Sequence, residues 1–142
     1  MRILVAVDLK DHPHAAVRAC ESWATRLEAT VDLAYASAEL ARIPMDQDEA
    51  WSSERAAERQ HLERLMETLP ADCRGKARVL VGRAADVLPP ATWDYDLVFL
   101  ATHAREGLSR VFGGSVAEQV LRRARCPVMT VRLGSVDTRK AT

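Results

Sequence analysis

Apolar positions in this chain fall into short continuous runs, separated by stretches in which they recur at helical spacing. Ile3 to Val7 is an unbroken apolar run containing β-branched residues and stopped by Asp8, which predicts a strand covered on both faces. Asp11 and His12 before Pro13 mark a helix start. Ala16, Cys20, Trp23, Ala24 and Leu27 then share one face, so Trp23 is expected in the core. Val31 to Ala36 predicts a second strand. Ser37 to Gln47 holds Pro44 and no sustained period. Beyond it a long charged segment places Leu62, Leu65, Met66 and Leu69 on one side of a second helix, which Pro70 stops. Gly75 turns the chain into a third apolar run, Ala77 to Val81, closed by Gly82.

A short helix follows from about Ala84, with Pro89 and Pro90 cutting it off because proline has no amide to donate and clashes with the preceding turn. Leu97 to Ala101 is the fourth and most hydrophobic strand. Ser115 opens a helix carrying Val116, Val120, Leu121 and Ala124, and Pro127 admits a last strand, Val128 to Val131. Strands alternating with helices predict an α/β fold, and right-handed crossovers make its sheet parallel with helices on both faces. Residues 1–133 are read as one doubly wound domain, and the polar residues 134–142 as a disordered tail.

Composition narrows the function classes. The 142 residues suit one core that buries roughly two-thirds of the surface of the unfolded chain. Twenty basic side chains balance twenty acidic ones, so no overall charge draws the protein to nucleic acid or to an anionic membrane. Cys20, Cys73 and Cys126 have neither paired nor metal-ligand spacing, which predicts reduced thiols. The amino terminus has the form of neither a signal peptide nor a membrane span, and a cytoplasmic protein is expected.

Ligands of an open parallel sheet sit beyond the carboxyl ends of its strands, where neighbouring connections diverge. If the first and fourth strands are neighbours, Asp8 and the loop after Ala101 share one crevice there. After the first strand the sequence reads DLKDHP and lacks the glycines of a dinucleotide-binding turn, and no GK[ST] step of a phosphate-binding loop occurs. A response regulator needs an Asp at the end of the third strand, where Val81 and Gly82 stand. His12 and His14 flank a proline and have no third partner for a metal site.

The late segment ATHAREGLSRVFGGSVAE, from Ala101 to Glu118, followed by CPVMTV, resembles the universal stress protein family, whose corresponding stretch reads approximately GTHGRTGLSRLLLGSVAE and then CPVLVV. The likeness extends to ILVAVD in the first strand and to Ala16 in the first helix. The resemblance implies the strand order 3-2-1-4-5, a homodimer through the last strand, and a binding or signalling role with no assigned catalytic residue. In the ATP-binding branch of that family the motif is Gly, two residues, Gly, nine residues, then Gly and Ser or Thr. Here positions 105–113 keep the nine-residue spacing between Ala104 and Gly114, but both leading positions, Ala101 and Ala104, are alanine. Leu9 and Lys10 likewise replace the Gly and Ser common after the first Asp.

By the same resemblance Asp8 lies near the ribose and adenine, and the backbone of Ala36 meets the adenine edge. Thr102, His103, Ala104, Gly114, Ser115 and Val116 surround the ribose and phosphates. Added methyl groups narrow the approach of main-chain amides to phosphate, so weak or absent ATP binding is expected. An ATP-binding switch with slow hydrolysis is the alternative. Ser115 and Glu118 also form a capping box, which explains both without a ligand, though such a helix start attracts anions as well. Arg105 and Arg110 read as solvated loop residues; Arg122, Arg123 and Arg125 complement a helix dipole.

Overall fold

The computed structural model describes residues 1–103 and 116–133, so Ala104, Gly114, Ser115 and the segment from residue 134 lie outside the described residues. At the centre of the sheet β1 (Arg2–Ala6) pairs with β2 (Thr30–Ser37) on one side and β4 (Leu97–His103) on the other. β3 (Arg74–Val81) and β5 (Val128–Leu133) form the edges, giving the order β3-β2-β1-β4-β5 with every pair parallel. This is the expected order. Because alternate strand side chains point to opposite faces, β1 serves two cores at once. Ile3 and Val5 pack with α1 (His14–Arg26) and α3 (Asp48–Met66), while Leu4 packs with α4 (Ala84–Ala91) and α5 (Val116–Arg123). Phe99 is fully buried in the first core, a contribution of about 2 to 3 kcal/mol.

Several local expectations are corrected. Trp23 is 41% exposed, and Leu27, at the end of α1, is 37% exposed. The buried arc of α1 is Ala16, Val17, Cys20 and Ala24. At about 100° per residue Val17 extends that arc away from Trp23, which is left at its margin. Ser37 to Gln47 contains a helix after all, α2 (Ala38–Arg42), too short at five residues to show a period. Its start is fixed by Ser37, whose hydroxyl accepts from the Leu40 amide at 3.2 Å. Pro89 and Pro90 lie inside the last turn of α4 instead of before its end. The helix survives because Thr92 closes it, its hydroxyl donating to the Pro89 carbonyl at 2.6 Å and its amide to the same oxygen at 3.2 Å.

Gly75 does not turn the chain; it lies in β3 beside an irregularity in the β2–β3 register. A Cβ there would stand 2.1 Å from Asp32 Oδ1, so the glycine makes room for a carboxylate. Asp32 is only 5% exposed. Oδ1 accepts from the Lys76 amide at 2.8 Å; Oδ2 accepts from the Tyr95 hydroxyl at 2.6 Å and from the Arg2 guanidinium at 3.3 Å. Arg78 donates to the Tyr95 oxygen at 3.0 Å, and the Arg2 guanidinium lies 4.7 Å from the Tyr95 ring centroid. Burial and then the bond to Asp32 raise the Tyr95 pKa, which keeps the phenol a donor. This network closes the amino end of the sheet.

Candidate functional site

At the opposite end the strands open onto a cavity of ≈ 240 Å³. Its base is built from small residues at strand ends and helix starts: Ala6 from β1, Ala36 from β2, Ala101 from β4, Ala84 from α4 and Ala117 from α5. Leu88, Leu100 and Val116 add apolar wall. Short side chains bring backbone and methyl groups close together and leave a slot whose apolar lining suits a flat, weakly hydrated group. Its location follows from topology. β1 leads to α1 on one face of the sheet and β4 leads toward α5 on the other, so the two connections part at this point.

Polar groups sit at the rim. Asp8 is exposed and its Oδ1 accepts the Lys10 amide at 3.0 Å, which folds the start of the β1–α1 loop back on itself. The Asp11 amide donates to the Asp8 carbonyl at 3.3 Å, and His12 takes φ +45°, a left-handed conformation that costs a non-glycine residue about 1 kcal/mol or more. This places a strained turn at the cavity mouth, with Asp8, Lys10, Asp11 and His12 all lining it. Across the mouth the Lys10 ammonium forms a close ion pair with Glu39 of α2. Their hydrogen bond is the main cause that raises the Lys10 pKa and lowers that of Glu39, so both stay charged at neutral pH. The pair spans from one loop to the neighbouring helix.

The sequence-predicted site residues separate accordingly. Asp8, Ala36 and Val116 line the cavity, as does Ala101, the first alanine of the altered motif. Thr102 is half-buried in β4 opposite Arg132 and is not among the residues that line it; His103 ends the strand opposite Leu133. Ala104, Gly114 and Ser115 fall outside the described residues. Sequence reasoning missed Glu39 and Tyr35, both of which line the cavity. Glu39 follows Ser37 by two positions, and recognising that serine as a helix cap would have placed the carboxylate in a first turn beside the end of β2.

Elsewhere the thiols are buried or half-buried and free; burial, and next the field of Cys73, push the Cys20 pKa up to about 12, which makes that thiol a poor nucleophile. Among the described residues no group of three or more His, Cys, Asp or Glu is arranged to hold a metal ion, and no helix is long and apolar enough to cross a membrane.

Comparison with solved structures returns the same architecture. A universal stress protein from Lactobacillus plantarum is 24% identical, with a TM-score of 0.66 over 93% of this chain and 97% of that one. A universal stress protein in complex with cAMP is 24% identical, with a TM-score of 0.64 over 93% and 96%. A protein of the same family from Arabidopsis thaliana, with AMP bound, is 20% identical, with a TM-score of 0.61 over 97% and 95%. At these identities the likeness establishes the fold. A comparison with curated protein sequences gives no match. The family assignment comes from the sequence model of the universal stress protein family, which matches residues 1–132, and by that match over nearly its whole length the chain belongs to the universal stress protein family.

Proposed function

We propose that the chain is a small cytoplasmic stress-response module, with no catalytic role, that binds an adenine mononucleotide in the crevice between β1 and β4 and holds a triphosphate weakly or not at all. The observation that carries this reading is the alanine-lined cavity at the carboxyl ends of the strands, with the acceptor Asp8 at its rim. Its apolar walls suit a purine ring, and the Asp8 carboxylate suits ribose hydroxyls. The cAMP and AMP complexes of the related structures support an adenine nucleotide as the class of ligand. Ala101 contributes a methyl group to the lining where the family's ATP-binding branch has glycine, and Ala104 repeats the change three positions on. Each methyl removes space in which main-chain amides approach phosphate oxygens.

The rival reading, an ATP-binding switch with slow hydrolysis, has the preserved spacing from Ala104 to Gly114 in its favour. Calorimetry with AMP and with ATP and magnesium separates the two. The wild type is expected to bind AMP more tightly than ATP, and the double variant A101G/A104G to gain roughly tenfold in ATP affinity, about 1.4 kcal/mol. ATP bound as tightly as AMP by the wild type, with no gain in the variant, overturns the methyl argument. The same reading includes a homodimer through β5. The β3 edge carries Arg74, Lys76 and Arg78, which discourage pairing, whereas β5 reads VMTVRL and, among the described strands, pairs with β4 alone. A dimer is expected in light scattering at micromolar concentration, and a monomer removes this part of the proposal.

A further inference from the structure

Among the described residues Glu58 has the one buried side-chain oxygen without a hydrogen-bond partner, Oε2. Glu58 is 8% exposed although it lies on α3, a strongly charged helix. Its Oε1 accepts from the Ser37 hydroxyl at 2.6 Å, and that hydroxyl in turn accepts the Leu40 amide as the cap of α2. One carboxyl group therefore holds the hinge at which β2 becomes α2. Residues on both sides of Ser37, namely Ala36, Ala38 and Glu39, line the candidate cleft. Glu58 itself faces a second cavity of ≈ 250 Å³, and Lys10 and Glu39 line both cavities.

The groups around Glu58 include two carboxylates and one ammonium. Glu54 and His61 approach from its own helix, Glu39 from α2, Tyr35 from β2 and Lys10 from the β1–α1 loop. Lys10 is engaged by Glu39, and Glu54, which lines the same cavity one helical turn before Glu58, is purely an acceptor when ionised. An ionised Glu58 thus leaves Oε2 unsatisfied beside like charge. A proton on Oε2 removes the charge and makes that oxygen a donor, while Oε1 keeps the Ser37 bond.

We propose that Glu58 is a positioning residue of the nucleotide cleft that acts by proton uptake: as the neutral acid it stays buried against Ser37 and fixes the β2–α2 hinge, and on ionisation the cost of its buried charge draws the carboxylate off Ser37 toward the second cavity and loosens that hinge. The proton step stands on the buried, unpartnered Oε2 and the Ser37 bond, and its effect on ligand rests on the reading given under Proposed function. Burial is the largest cause raising the Glu58 pKa; the Ser37 bond opposes it, and the charges of Glu54 and Glu39 add to it. The native state therefore binds this proton more readily than the unfolded chain, and the hinge tightens in mildly acidic solution.

Carboxyl-carbon NMR titration of the full chain tests the proton step without ligand. One resonance, absent in E58Q, is expected to titrate above the ordinary glutamate value of 4.5, and the Leu40 amide to shift with the same midpoint in the wild type but not in E58Q. Glu54→Gln gives a second, independent arm. It removes the like charge, so the midpoint should fall toward the ordinary value. A normal midpoint for Glu58, or a Leu40 shift that persists in E58Q, overturns the proposal. AMP affinity, measured on both proteins so that the titration of the phosphate itself cancels, is then expected to weaken by roughly threefold more in the wild type than in E58Q as pH rises through that midpoint. Equal pH dependence in the two removes the coupling to the cleft. Absence of AMP binding at every pH instead refutes the nucleotide reading and leaves the proton result standing.

Discussion

The two ends of the sheet use the same side chain in opposite ways. At the amino end Asp32 is buried and receives bonds from a backbone amide, a phenol and a guanidinium. At the carboxyl end Asp8 is exposed, and its carboxylate accepts the amide of Lys10, two residues further on. A carboxylate whose oxygens are filled by the protein adds stability but has little capacity left for a ligand. One left at a rim beside apolar walls adds little to the fold and keeps its acceptors available. The difference lies in the surroundings: Gly75 leaves room for Asp32 in the sheet, whereas small residues leave room for a guest next to Asp8.

The largest expected effect follows from removing Asp32. Asp32→Ala leaves the buried Tyr95 hydroxyl and the Lys76 amide without their acceptor, at a cost of about 3 kcal/mol in chemical denaturation. Gly75→Ala attacks the same network from the other side. The added Cβ would lie 2.1 Å from Asp32 Oδ1 and 2.7 Å from the Val31 carbonyl oxygen, so the carboxylate or the strand has to move, for about 2 kcal/mol. Stability unchanged in both variants would remove the structural role assigned to the amino end.

A smaller effect is expected at Glu58, beside the carboxyl end of β2. Its pKa is raised in the folded protein, so the proton-linked stability is fully present below the unfolded value of 4.5 and is lost as pH rises through the higher folded value. Denaturation of the wild type and E58Q over that range should show the wild type losing ground to the variant with increasing pH. Parallel curves would mean that Glu58 titrates alike in both states.

The contrast between the ends also explains what was legible in the sequence. The strands were, because Ile3 to Val7 and Leu97 to Ala101 are unbroken apolar runs that burial on both faces requires. Asp8 and Ala36 were placed through the resemblance, since both lie at strand ends that topology brings together. The burial of Asp32 was not foreseen, although a single acid inside VDLAYA signals a polar group that needs partners from elsewhere in the chain. Those partners are remote: Tyr95 is 63 residues away and Lys76 is 44. Glu58 was hidden by its polar neighbours, even though it precedes Leu62 and Leu65 by four and seven positions, on the buried face of α3. Trp23 misled for the reverse reason, because apolar spacing identifies a helix face but does not fix the limits of its buried arc.

The smallest expected change in stability is the one that sharpens the contrast most. Asp8→Ala removes a single bond to the exposed Lys10 amide, which water replaces, so unfolding should change by no more than about 0.5 kcal/mol. AMP affinity should nevertheless fall by roughly tenfold, because the lost acceptor faces the cavity. Asp8→Asn retains one acceptor oxygen without the charge, and it should lie between the alanine variant and the wild type in calorimetry while matching both in denaturation. If Asp8→Ala costs as much stability as Asp32→Ala, the loop turn at the rim is structural and the two ends do not differ in kind. If stability is kept and AMP binds unchanged, the carboxylate is free but faces no nucleotide, and the apolar slot alone determines what the crevice holds.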